Sequence, residues 1–185
     1  MANEKNKNYL SSKEVKAIAK ANAKEIKRLE AYKNRKAPEQ EFLAEMKNPD
    51  NILEIEDLHT FFFTEQGVVK AVNGVSFNIP KNATVGIVGE SGCGKSVTSM
   101  SVMRLIQGPA GQIAGGSIRF QSYDYKRDAK GNPVKGEDGS YEMEEKFYDI
   151  AKMPIREIHR IRGKQVSMIF QEPMTSLNPV FRIGQ

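Results

Sequence analysis

An α/β fold, in which a strand–loop–helix core stands beside an antiparallel β subdomain, is predicted by three observations in this 185-residue sequence. Two apolar runs, 51–63 and 68–79, flank a Glu65-Gln66-Gly67 turn signal. A short, almost wholly apolar run at 84–88 (TVGIV) leads directly into a glycine-rich octapeptide at 89–96. A helically spaced series follows, from Val97 through Met100, Met103 and Ile106.

Taken in order, residues 11–36 predict a helix. Ser11 or Ser12 can cap it, Glu14 sits in its first turn and Pro38 ends the pattern. Its apolar stripe (Val15, Ile18, Ile26, Leu29) is narrow and lacks the bulky aromatics of an interfacial anchor, so a solvated arm is expected in preference to a membrane-surface or partner-docking helix. Residues 1–50 therefore form a charged helical arm, and the folded domain occupies 51–185. Leu53, Ile55 and Leu58 followed by Phe61, Phe62 and Phe63 mark a first strand. Val69, Val72, Val75, Phe77 and Ile79 mark a second, and the short glycine-containing link makes the pair a hairpin. The run 84–88 fits a strand buried on both faces, and 95–107 a helix. Residues 117–121 are a further strand. Residues 122–150 are polar, with Gly131-Asn132-Pro133 and Asp138-Gly139 turns, and are expected to be a surface insertion with room for a small hairpin. A short helix at 154–162, a strand at 165–170 (QVSMIF) and a loop at 171–179 complete the chain.

Composition removes several function classes. Cys93 is the lone cysteine, so an intrachain disulfide or multi-cysteine metal site is excluded, and it fits a reducing compartment. No run approaches the roughly 18 apolar residues of a membrane span, and no apolar stretch follows the charged N-terminus as in a secretory signal. The basic excess sits in the arm, with 12 Lys/Arg against 8 Asp/Glu over 1–50 and 16 against 15 over 51–185. A nucleic-acid-binding face is not supported in the main domain. His59 and His159 lie far apart and read as ordinary surface or strand residues.

Residues 89–96 (Gly89, Glu90, Ser91, Gly92, Cys93, Gly94, Lys95, Ser96) satisfy G-x-x-x-x-G-K-[ST] in full. A triphosphate presents several charged oxygens, which such a loop wraps with backbone N–H groups. The chain must approach closely and bend sharply, and glycine permits both. The helix that follows directs free N–H groups and its positive dipole end at phosphate, with Val97 in its first turn. Lys95 adds a full charge toward the β/γ oxygens, and Ser96 offers a hydroxyl to Mg²⁺, which takes oxygen ligands. The predicted ligands are a nucleoside triphosphate, ATP, and Mg²⁺. Cys93 stands at a free position of the pattern, where a small residue suits a tight loop.

GIVGESGCGKS, the later SMIFQEPMTSLNP, and the opening stretch LEIEDLHTFFFTEQGVVKAVNGVSF together resemble the ATP-binding subunits of ABC transporters, especially oligopeptide and dipeptide importers. The resemblance covers about 52–122 and 150–185. It implies that Gln171 is the Q-loop glutamine, which senses Mg²⁺ and the attacking water at the contact with membrane subunits. It also implies an aromatic stacked on adenine after the first strand. Phe62, four residues beyond Leu58, is the choice, with Phe61 and Phe63 on the opposite face as packing residues. The implied fold is an ABC-type nucleotide-binding domain truncated after the Q-loop, because the family's signature motif, Walker B aspartate, catalytic glutamate and switch histidine do not occur before Gln185. The expected partners are transmembrane permease subunits, a second ATP-binding subunit and, indirectly, a solute-binding protein, at the cytoplasmic face of the membrane. Three alternatives stay open: an importer of nickel or another small solute, a nucleotide-binding module without turnover, and an unrelated P-loop enzyme such as a kinase, against which QEPMTSLNP argues.

Overall fold

The computed structural model describes residues 10–171. Its centre is an antiparallel sheet of four strands: β1 (Asn51–Thr64), β2 (Gly67–Pro80), β3 (Gly111–Tyr125) and β4 (Met143–Asp149), ordered β2-β1-β3-β4. β1 and β2 form the expected hairpin, closing at Thr64 opposite Gly67. β1 also pairs with β3, so these two strands are the interior ones. Leu53, Ile55, Leu58, Ile118 and Phe120 join Phe42, Val72 and Tyr148 in one buried cluster. Each such aliphatic side chain contributes about 1.5–3 kcal/mol by leaving water.

The helix α1 (Ser12–Asn34) begins with a capping box. Ser11 Oγ accepts the Glu14 amide at 3.3 Å, and the Glu14 carboxylate accepts the Ser11 amide at 2.8 Å. The helix is not a solvated arm. Leu29 and Asn22 are buried, Asn22 Nδ2 donates to the Thr64 carbonyl at 2.8 Å, and Ile155 N–H donates to the Lys33 carbonyl at 2.9 Å. The narrow stripe suffices because the surface it meets is the chain's own sheet. The link after α1 adds to the packing: Phe42 is buried, and Ala44 N–H and Asp149 N–H exchange backbone bonds with Phe147 and Phe42.

The polar stretch 122–150 divides in two. β3 runs on to Tyr125 and pairs with β4, placing Tyr148 and Asp149 in the interior, so the projecting part is 126–142. Asp149 is held by Ser117 Oγ at 2.9 Å and by the Ile118 and Ala151 amides at 3.1 Å. Tyr148 donates its hydroxyl to Glu39 at 2.7 Å; burial and that carboxylate push the phenol pKa up. Glu54 is a second buried carboxylate. Burial opposes its charge, but the Lys47 amide, Asn51 Nδ2, the Asn48 amide and Arg119 more than offset this and hold its pKa below the ordinary value.

Four elements depart from expectation. The helix α2 (Lys95–Val102) ends five residues before Gln107. Arg104 takes a left-handed φ of 53°, its N–H bonds the Ser101 carbonyl at 3.0 Å, and Leu105 N–H bonds the Met100 carbonyl at 2.8 Å. This is a Schellman stop, with arginine where glycine is usual. Residues 84–88 form no strand: they are exposed, Val88 to 93%, and no backbone hydrogen bond joins them to the sheet among the described residues. A run apolar on both faces needs a neighbour on each side, and the four-stranded sheet offers it none. Residues 165–170 likewise form no strand. They contribute one isolated bridge, Arg162 to Val166, and leave Ile169 91% exposed. The predicted helix at 154–162 is reduced to turns and a 3₁₀ segment, Ile158–Arg160.

Candidate functional site

The glycine loop enters α2 in an arrangement each glycine explains. Gly94 is the N-cap, with φ 100°. A Cβ there would stand 2.4 Å from the Ala71 carbonyl oxygen of β2, so this position tolerates neither a side chain nor its usual conformation. Gly92 also has a left-handed φ of 81°, but in open space. At Gly89 a Cβ would meet Cys93 Sγ at 2.7 Å. Cys93 thus fills the small space beside the loop's first residue.

Lys95 Nζ donates to the carbonyls of Gly89 at 2.6 Å and Glu90 at 2.7 Å and approaches Cys93 Sγ at 3.7 Å. The ammonium therefore lies across the loop it follows, tied to its first two residues. Ser96 is exposed on the first turn of α2, and Val97 packs against the core. The N-terminal amides of an eight-residue helix supply donors and a positive dipole end at the same place. Glu90 and Ser91 are exposed, like the rest of 81–93.

Two supports were not anticipated from sequence. Thr60 and Ser101 are both buried and share a 2.7 Å hydroxyl hydrogen bond, which pins α2 to β1. The Ala71 carbonyl seats Gly94 from the neighbouring strand. Thr60 could have been found by alternation, since it falls two residues beyond buried Leu58; Ala71 acts through its backbone and leaves no sequence signal.

Phe62 lies on the same strand two residues beyond Thr60, hence on the α2 face of β1. It is half-buried opposite Gly111, whose Cβ would clash with its ring at 2.9 Å and with Ile106 at 2.6 Å. Phe61 points the other way, edge-on to His59 at 5.7 Å with Lys70 over its ring. His59 bonds Asn73 and Asp57, and His159 the Arg156 carbonyl; neither is near the loop in hydrogen-bonding terms. Gln171 is exposed at the end of the described residues, and among these no hydrogen bond joins it to the loop. The remainder of its motif, 172–179, lies outside the described residues.

Loop, helix and β subdomain together define a P-loop nucleotide-binding domain. The chain belongs to the ABC transporter family, whose model matches residues 72–185. It is 42% identical over 134 residues to the oligopeptide transport ATP-binding protein AppD of Bacillus subtilis, covering 72% of this chain and 33% of that protein. The dipeptide transport ATP-binding protein DppD of the same organism is 38% identical over 135 residues, 73% of this chain and 33% of that protein. A probable peptide ABC transporter ATP-binding protein, y4tR of Sinorhizobium fredii, is 35% identical over 136 residues, 74% of this chain and 33% of that protein. The chain thus spans about a third of the length of these relatives. Among the described residues no helix is long and apolar enough to cross a membrane.

Proposed function

We propose that this chain supplies the nucleotide-binding part of an ATP-binding subunit that couples ATP hydrolysis to import of oligopeptides or dipeptides. The observation that carries the reading is the complete phosphate loop capping α2, with Lys95 laid across it, in a chain whose relatives are peptide-transport ATP-binding proteins. Gly89–Ser96 cradle the phosphates through backbone N–H groups, and Lys95 exchanges its two carbonyl partners for phosphate oxygens. Ser96, with Gln171, holds Mg²⁺, which neutralises charge on the phosphates when bound. Phe62 presents its ring to the base. The partners are permease subunits and a second ATP-binding subunit, met at the cytoplasmic face of the membrane, and the chain's role there is positioning and charge stabilisation of a transferred phosphoryl group.

The test is an ATP titration by calorimetry on the 185-residue chain and its Lys95→Ala variant, with phosphate release measured in parallel. Lys95→Ala removes a charge facing phosphate in a closely wrapped loop, a loss of about 2–5 kcal/mol. Equal affinity in the two proteins refutes the loop assignment. Phosphate release that depends on Lys95 assigns hydrolysis to this chain; binding without release assigns it nucleotide capture alone.

A further inference from the structure

A cavity of about 230 Å³ lies between α1 and the first residues of β3, apart from the phosphate loop. Four cationic side chains line it, Arg28, Lys33, Arg104 and Lys152, and no carboxylate does. Three of the four have carboxylate partners elsewhere: Arg28 with Glu25, Lys33 with Glu30, and Lys152 with Asp149. Arg104 has none among the described residues, although it is only 9% exposed.

The guanidinium of Arg104 is used on one side. Nη1 donates to the carbonyls of Ile150 at 2.7 Å, Ala151 at 2.8 Å and Met153 at 3.2 Å. Its remaining three N–H groups, on Nε and Nη2, have no acceptor among the described residues. Those two nitrogens form one of the flat edges with which arginine receives two oxygens at once. Burial first, then the charges of Arg162 and Arg35, push the guanidinium pKa down to about 10 against the opposite pull of Tyr32 and Asp149. Arg104 also occupies the left-handed position of a helix stop, which glycine would fill without strain.

We propose that this cavity is a second ligand site, in which the Nε/Nη2 edge of Arg104 receives two oxygens of a small oxyanion, a phosphate or a carboxylate, beneath α1. Arg28, Lys33 and Lys152 stand around it, each sharing its charge with one carboxylate, Glu25, Glu30 and Asp149 respectively. The volume is several times the roughly 30 Å³ share of one water and below the 300 Å³ or so of a drug-sized pocket, so the ligand is a small ion or one terminal group. Gly111 lines the cavity and also lies against the Phe62 ring, so the site adjoins the proposed base platform.

The experiment uses the whole chain carrying Lys95→Ala, which silences the phosphate loop. Inorganic phosphate and, separately, acetate are titrated while the Arg104 Nε–H resonance is followed by NMR. A saturable shift with one of the two probes is expected and names the ligand class; saturation with both assigns general oxyanion binding. The further pair Arg28→Gln, Lys152→Gln leaves the Nη1 clamp intact and should weaken binding about three- to ten-fold, the effect of two partly exposed cations. Arg104→Lys, if folded, should weaken it by at least about ten-fold through loss of the two-pronged edge. No saturation with either probe overturns the proposal. So does saturable binding that the Arg28→Gln, Lys152→Gln pair leaves unchanged.

Discussion

Gly94→Ala separates conformational strain from collision within one loop. Gly94 and Gly92 share a left-handed φ, at 100° and 81°. Adding a methyl at either forces an L side chain into that region at about 1–2 kcal/mol. At Gly92 nothing lies within 4 Å of the new Cβ, so the cost ends there. At Gly94 the new Cβ would lie 2.4 Å from the Ala71 carbonyl oxygen, a backbone atom fixed in the β1–β2 hairpin. Either the start of α2 or the strand must move, which adds about 1–3 kcal/mol. Gly94→Ala should therefore destabilise by about 2–5 kcal/mol and Gly92→Ala by about 1–2. Urea unfolding, followed by circular dichroism, measures both. The same proteins in an ATP titration should show the larger affinity loss for Gly94→Ala, because the displaced element carries Lys95 and Ser96. Equal destabilisation by the two substitutions would show that the Gly94–Ala71 contact does not constrain the loop.

Phe62→Ala should weaken ATP binding by about 1–3 kcal/mol, the usual loss for one stacked base, with Phe62→Tyr tolerated; a loss at Phe61→Ala or Phe63→Ala in its place shows the register to be wrong. Leu29→Ala should cost about 2–4 kcal/mol in urea unfolding, because it empties a buried position where α1 meets the rest of the chain; a change under 0.5 kcal/mol contradicts the docked helix. Glu54→Gln should destabilise by about 1–3 kcal/mol at pH 7. Because the folded protein holds Glu54 below its ordinary value of 4.5, its contribution is complete above that value and is lost as pH falls through the lower folded value, so the gap between Glu54→Gln and the unmodified chain should close in acid. A gap independent of pH would mean that its charge is not what the amides hold.

What could be read from the sequence was whatever local pattern dictates. The hairpin followed from alternation and one turn, the α1 cap from Ser11 and Glu14, and the loop from an octapeptide whose four fixed positions, Gly89, Gly94, Lys95 and Ser96, leave the chemistry little choice. Elements that depend on distant neighbours were not legible. The apolar runs 84–88 and 165–170 carry the composition of buried strands, yet a strand exists only where another lies beside it, and β1 to β4 pair only among themselves. The C-terminal end of α2 was misplaced because Met103 and Ile106 keep the helical spacing while Arg104 breaks the backbone, a stop that arginine does not announce. Burial of Tyr148 and Asp149 was hidden by their polar setting. At the site, the glycines and Lys95 were legible, whereas the Ala71 carbonyl that fixes Gly94 has no side-chain signature.

The unpaired stem at 84–88 makes the phosphate loop a structure anchored at one end. α2, Thr60 and Ala71 fix its exit, while its entrance is tied to the fold by the covalent chain and the Lys95 bonds to Gly89 and Glu90. Any nucleotide that straightens the entrance must also order those five residues, each at a cost of about 1–2 kcal/mol in backbone freedom. A polypeptide strand laid beside 84–88 would meet that cost first, and nucleotide would then bind a stem already in place. The two events are thermodynamically linked, so nucleotide must strengthen strand pairing by the same factor that strand pairing strengthens nucleotide binding. Protection of the 84–88 amides from hydrogen exchange would report both.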